Sequence, residues 1–254
     1  MCKFADLSDR WVVVTGSSGG IGRAIAEEAA RAGAHIILHG TRKPADVEAC
    51  CDRIRQQGRQ CWYEPCDFSQ QDTWSPFLDR IWDRCGTVHG WVNNAGVDLL
   101  TGAESQWDYA AKLRALWEVD VAATVQLSKR VGERMRQTGQ GVILNIGWDQ
   151  ADRGMEGDSA ELFSIAKNAV MGFSRSLAVS LAPTVRVNCI APGWIKTAWG
   201  ASASAEWQQR VLRETPLKRW GTPEDIAKLA RFLLSDDAAY ITGQVINANG
   251  GAVR

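Results

Sequence analysis

Protonatable rings are scarce in this chain: its 254 residues include only three histidines and three tyrosines. His35, His39 and His89 form no H-E-x-x-H or H-x-x-E-H pattern, and two of them lie in one apolar stretch, so no metal site is expected. The cysteines are odd in number and show no C-x-x-C, in a chain too large to need stapling. Cys2, Cys50, Cys51, Cys61, Cys66, Cys85 and Cys189 are expected to be reduced thiols of a cytoplasmic protein. Net charge is lacking too. Acidic and basic residues number 29 each, which removes the long-range attraction that a nucleic-acid partner needs. No run reaches the roughly 18 apolar residues of a membrane span. Residues 1–6 show neither a basic n-region nor a cleavage site, so no signal peptide is expected.

What is present is apolar content, at 45% enough to build a core without disulfides. Short β-branched runs alternate with longer helical patterns throughout, which is the signature of βαβ units and a parallel sheet. Seven strands are predicted, at 11–15, 34–38, 61–65, 90–93, 142–146, 185–191 and 245–248. Helices are predicted at 21–32, 45–57, 70–84, 107–136, 162–181, 203–214 and 223–234. The last carries Thr222 as N-cap, then Pro223, Glu224 and Asp225 in its first turn. The fold class expected is a Rossmann-type, doubly wound α/β sheet with helices on both faces. No linker, repeat or low-complexity segment interrupts it, and residues 1–254 are expected to form one dinucleotide-binding domain.

Thr15-Gly16-Ser17-Ser18-Gly19-Gly20-Ile21-Gly22 joins the first strand to the first helix. A pyrophosphate fits there on free backbone N–H groups at the positive end of the helix dipole. The spacing is G-x-x-x-G-x-G. Further motifs follow in order: Asn93-Asn94-Ala95-Gly96, then Arg186-Val187-Asn188 leading to Ala191-Pro192-Gly193 with Thr197, then Thr242-Gly243-Gln244 and Asn249-Gly250-Gly251.

Over essentially its whole length the chain resembles the short-chain dehydrogenase/reductase family, in the single-domain branch similar to 3-oxoacyl-acyl-carrier-protein reductases. The resemblance implies a nicotinamide dinucleotide held by Gly16, Ser18, Gly20, Ile21 and Gly22. It places Asp67 on the adenine and Asn94 and Gly96 near the adenosine ribose. It puts Ile195 and Thr197 at the nicotinamide end and Lys167 on the nicotinamide ribose, and Pro192 and Gly193 among the cofactor-binding residues. It also implies a homo-oligomer, a tetramer or dimer, built through the long central helices and the C-terminal segment.

An acidic residue ending the second strand would bind the ribose 2′-OH of NAD. Leu38-His39-Gly40-Thr41-Arg42-Lys43 has none and supplies two cations for a 2′-phosphate, which favours NADP(H) over NAD(H).

The family's catalytic set is an asparagine, a serine, a tyrosine and a lysine four residues after the tyrosine. Here Asp120 stands at the asparagine position, Trp148 at the serine position and Phe163 at the tyrosine position, and only Lys167 is retained. A phenyl ring exchanges no proton, and a positioned general acid is typically worth about 10²–10⁴ in rate. Ordinary carbonyl reduction through a Tyr-Ser pair is therefore not expected, whereas an intact nucleotide site still permits hydride chemistry. Candidate replacement acids are Asp149, Asp152, Glu156, Asp158 and Glu161, with Asp149 and Glu161 foremost. Asp120 is a candidate partner for the Lys167 ammonium. The resemblance places Trp148, Trp194 and Trp199 where the family builds its substrate mouth; stacked indoles there would suit a planar or apolar ligand, and packing in the core or between subunits is the alternative.

Three readings stay open. One is an NADP(H)-dependent oxidoreductase of an unidentified carbonyl or alcohol with a non-standard proton-transfer site. The second is a nucleotide-binding pseudoenzyme, and the third is a non-redox enzyme reusing the pocket.

Overall fold

The computed structural model describes residues 4–41 and 45–254. Seven strands form one parallel sheet: β1 (Trp11–Val14), β2 (His35–Gly40), β3 (Cys61–Pro65), β4 (Gly90–Asn93), β5 (Gly141–Ile146), β6 (Val185–Pro192) and β7 (Val245–Ala248). Their order across the sheet is β3-β2-β1-β4-β5-β6-β7. Pairing is in register along the apolar runs, with Val13 opposite Ile37 on one side and Trp91 on the other.

Alternate residues of each strand enter different cores, as a pleat requires. Val12, Ile36, Leu38 and Leu144 join one buried cluster with Ile25, Ile54 and Leu233. Val13, Ile37, Trp91 and Ile143 join the other with Phe77, Leu127 and Leu177. These partners assign the helices to their faces. Helices α1 (Gly20–Arg31), α2 (Ala45–Gln56) and α9 (Pro223–Leu234) cover the first face. Helices α3 (Trp74–Cys85), α5 (Thr124–Thr138) and α6 (Asp158–Leu181) cover the second. Two apolar faces on the central strands explain why these read as continuous hydrophobic runs, whereas the edge strands β3 and β7 are partly exposed and include Glu64 and Asn247.

Between them lie α4 (Tyr109–Leu116), which leads through a π-helical stretch, Trp117–Ala123, into α5, and the short α7 (Ala198–Ser202) and α8 (Ala205–Glu214). Helix α9 starts with a reciprocal capping box: Thr222 Oγ1 accepts from the Asp225 N–H at 3.3 Å, and Asp225 Oδ2 accepts from the Thr222 N–H at 2.8 Å. Among the described residues no helix is long and apolar enough to cross a membrane.

The strand order reverses between β1 and β4, so the loops leaving the C-terminal ends of these strands diverge and open a crevice. The motifs Thr15–Gly22, Asn93–Gly96, Ala191–Gly193 with Thr197, and Asn249–Gly251 follow their strands at that edge of the sheet, whereas Arg186–Asn188 and Thr242–Gln244 lie at the starts of β6 and β7, at the opposite edge.

Candidate active site

The loop after β1 turns sharply enough to need glycine. Gly16 has φ +61°, and a Cβ there would lie 2.6 Å from the Ala95 Cα; a Cβ on Gly22 would meet the Gly16 carbonyl oxygen at 2.4 Å. Helix α1 therefore packs directly on the turn it leaves. Its first turn has no acidic residue and no side-chain cap, so its N–H groups stay available to an anion. The Asn94 carboxamide donates to the carbonyls of Thr15 at 3.1 Å and Gly16 at 3.0 Å, joining the β4 loop to the β1 loop. This cradle fits a dinucleotide: beside the uncapped first turn of α1, a Cβ on Gly19 would meet no described atom within 4 Å.

His39, in β2, braces the same turn. Its Nδ1 accepts from the Gly16 N–H at 3.1 Å and its Nε2 lies 3.0 Å from the Cys66 carbonyl oxygen. A backbone N–H only donates and a carbonyl only accepts, so the ring is neutral with its proton on Nε2. Burial lowers its pKa to about 4, and its ring stacks on Phe68 at 4.1 Å.

Beneath the crevice runs a buried polar chain. Asn93 Nδ2 donates to Ser128 Oγ at 2.8 Å and to Asn145 Oδ1 at 2.7 Å, Asn145 Nδ2 donates to Ser174 Oγ at 2.8 Å, and Ser174 Oγ donates to the Val170 carbonyl at 2.7 Å. It ties β4, α5, β5 and α6 together, and α6 carries Phe163 and Lys167. The visible signal in the sequence is an asparagine inside each of two apolar strands.

Lys167 Nζ donates to Asp120 Oδ2 at 3.0 Å, and Asp120 Oδ1 accepts from the Val97 N–H at 2.9 Å. Asp120 lies within the π-helical stretch and is 2% exposed. The two charges are thus matched inside the fold.

One cavity of about 560 Å³ joins the nucleotide motifs to the aromatic residues. Ile21, Lys167, Pro192, Gly193, Ile195 and Thr197 line it together with the aromatic residues Trp148, Phe163, Trp194, Trp199 and Trp207. Trp194 and Trp199 stack with centroids 6.2 Å apart, Trp207 sits 5.4 Å from Trp194, and Trp220 packs behind them at 6.4 Å from Trp194. Ser159, Phe163 and Lys167 share a spacing of four along α6 and all reach the cavity. Ser159 and Trp207 are absent from the sequence-based candidates, and the period-four match to Phe163 and Lys167 is the signal that would have found Ser159.

The candidate acids divide by position. Glu156 and Asp158 line the cavity. Glu156 accepts from Arg210 Nη1 at 2.6 Å and Nη2 at 3.3 Å, and these bonds hold its carboxyl below the usual range. Asp149 and Glu161 are not among the lining residues. Asp149 is buried behind Gly193, where Oδ2 accepts from Asn249 Nδ2 at 2.9 Å and Oδ1 meets no hydrogen-bond partner of normal geometry among the described residues; burial pushes its pKa up to about 6. Glu161 accepts from the Tyr109 hydroxyl at 3.2 Å on the exposed side of α6. Asp152 is exposed beside Arg153. Asp67 accepts from the Ser69 N–H at 2.9 Å and lines a separate shallow pocket beside Thr41 and Pro65. Arg42 and Lys43 lie outside the described residues.

A family described as Enoyl-(Acyl carrier protein) reductase matches residues 16–253. The chain belongs to the short-chain dehydrogenase/reductase family. It is 33% identical to a 3-oxoacyl-[acyl-carrier-protein] reductase of Chlamydia trachomatis, with 96% of this chain and 98% of the relative covered. It is likewise 33% identical to the 7alpha-hydroxysteroid dehydrogenase of Escherichia coli K12, covering 98% and 96%. A solved 7α-hydroxysteroid dehydrogenase, complexed with NADH and 7-oxo glycochenodeoxycholic acid, superposes with a TM-score of 0.89 at 32% identity, covering 100% of this chain and 98% of that one. As a short-chain dehydrogenase/reductase the chain is a member of an oxidoreductase family.

Proposed function

We propose that the chain, as one dinucleotide-binding domain, is an NADP(H)-dependent oxidoreductase that works on an apolar, carbonyl-type substrate without the family's Tyr-Ser pair. The observation that carries this reading is the single cavity running from the nucleotide motifs to the tryptophan-lined mouth. A site kept only for holding a nucleotide has no need of a substrate chamber continuous with it. Bound in the cradle, a nicotinamide dinucleotide supplies hydride. The chain's own residues orient it through the Gly16–Gly22 turn and through Lys167, placed by resemblance on the ribose hydroxyls. The indoles exclude water from the reacting end. NADP(H) is preferred because the end of β2 offers no carboxylate and the sequence continues with Arg42 and Lys43. A cytoplasmic homo-oligomer, tetramer or dimer, accords with the family.

Titration of the protein with NADPH and NADH by tryptophan fluorescence is expected to give tighter binding of NADPH. Lys167→Ala is expected to weaken that binding by about ten- to a hundredfold, the loss of a charged hydrogen-bonding group. Oxidation of NADPH, followed by absorbance against apolar aldehydes, ketones and imines, tests turnover. Tight binding with no turnover of any of them overturns the enzyme reading in favour of the pseudoenzyme, which the loss of the tyrosine and serine hydroxyls supports.

A further inference from the structure

Resting on that oxidoreductase reading, we propose that the aromatic cavity takes a cationic apolar substrate, an iminium ion, as its hydride acceptor. Reduction of a ketone leaves an alkoxide, which must receive a proton. Addition of hydride to an iminium carbon forms one C–H bond and moves the C=N π pair onto nitrogen as a lone pair. The product is a neutral amine, the reduced nicotinamide becomes its oxidised form, and no proton is needed.

The proton donors available at the cavity are few and poorly suited. Phe163 and Trp148 replace the two hydroxyls. The Lys167 ammonium is engaged by Asp120 at 3.0 Å, and Glu156 is held ionised by Arg210. Asp158 is exposed to bulk water. The Ser159 hydroxyl has no hydrogen-bond partner among the described residues, and a serine with no adjacent base is a poor acid.

The same walls suit a cation. Five aromatic side chains, of Trp148, Phe163, Trp194, Trp199 and Trp207, border one space, and aromatic rings attract desolvated cations. Trp207 already has the Arg210 guanidinium 4.8 Å from its ring centroid. Of the charged residues that line the cavity, Lys167 is paired with Asp120 and Glu156 with Arg210, and the third, Asp158, is a carboxylate. Lys167 therefore does not make the cavity repel a positive substrate.

The test uses the full chain and two pairs of compounds. In fluorescence titrations the fixed cation N,N-dimethyltetrahydroisoquinolinium, which has no reducible bond, is expected to bind at least about tenfold more tightly than its neutral isostere dimethyltetralin. In Trp148→Leu that preference is expected to fall severalfold, with retained NADPH affinity certifying the fold. With NADPH, N-methyldihydroisoquinolinium is expected to be reduced faster than tetralone. The double variant Phe163→Tyr, Trp148→Ser is expected to reverse this order. Equal or tighter binding of dimethyltetralin, a cation preference unchanged in Trp148→Leu, or tetralone reduced at least as fast as the iminium overturns the inference. Reduction of tetralone leaves the oxidoreductase reading standing, whereas no NADPH binding, or no oxidation of NADPH with either substrate, removes both.

Discussion

Asp149 sits in an environment that opposes its ionisation. A carboxyl that ordinarily ionises near 3.8 is held buried and, with burial as the main cause, ionises at about 6. As pH rises the unfolded chain loses this proton first. Its contribution to stability is therefore full below about pH 3.8 and is lost progressively up to about pH 6, beyond which the penalty is constant. Each pKa unit corresponds to about 1.4 kcal/mol. Asp149→Asn keeps the shape and removes the charge, and is expected to stabilise the protein by about 1–2 kcal/mol above pH 6 and by little near pH 4. Thermal unfolding of both proteins from pH 4 to pH 8 measures it. A difference in melting temperature that is the same at every pH would assign the buried ionisation elsewhere. His39 responds in the opposite sense: with a pKa lowered from 6.5 to about 4, its contribution is present above pH 6.5 and lost as pH falls through 4, where the proton would displace the Gly16 N–H.

At the scale of elements, helix α6 reaches the crevice in a fixed setting because its inner face is hydrogen-bonded through Ser174 to Asn145 and on to Asn93. Removing one member leaves its neighbours short of a partner in a place water does not reach. Asn145→Ala is expected to cost about 2–3 kcal/mol in urea unfolding. The Asn145→Ala, Ser174→Ala double variant should cost less than the sum of the single changes, since both lose the same bond. Strict additivity would mean that the chain of bonds is not a coupled unit. The π-helical stretch Trp117–Ala123 acts beside it: the wider turn sets the phase of the helix at Asp120, and the carboxylate meets Lys167 from there.

Across the whole molecule, strands were the most legible part of the sequence, because the central strands, buried on both faces, write themselves as apolar runs, and all seven strands overlap the segments predicted for them. Helix α9 was legible to the residue through Thr222 and Pro223. The predicted helix over 107–136 is instead α4, the π-helical stretch and α5, since a wider turn leaves no mark on composition. Helix α6 begins at Asp158, ahead of the predicted 162, because its first turn is polar and shows no apolar period. The predicted 203–214 helix is α8, with α7 preceding it as a separate short helix. At the site, motifs in loops were legible, but pairs such as His39 with Gly16 and Asp149 with Asn249 join segments distant in sequence and have no local pattern.

The one-sided placement of the site also divides the molecule into a working rim and a blank one. The turns at Gly58, Gly86 and Gly139 enter β3, β4 and β5 from the opposite end of the sheet, and a Cβ at any of them would meet nothing within 4 Å. A short Gly-Ser insertion after Gly139 is expected to change NADPH affinity less than about twofold, whereas the same insertion after Gly19 should abolish it; equal losses at both positions would contradict the division. The blank rim is thus the natural place for a tether, a dye or a fused partner, and a protein anchored there would present its open crevice outward.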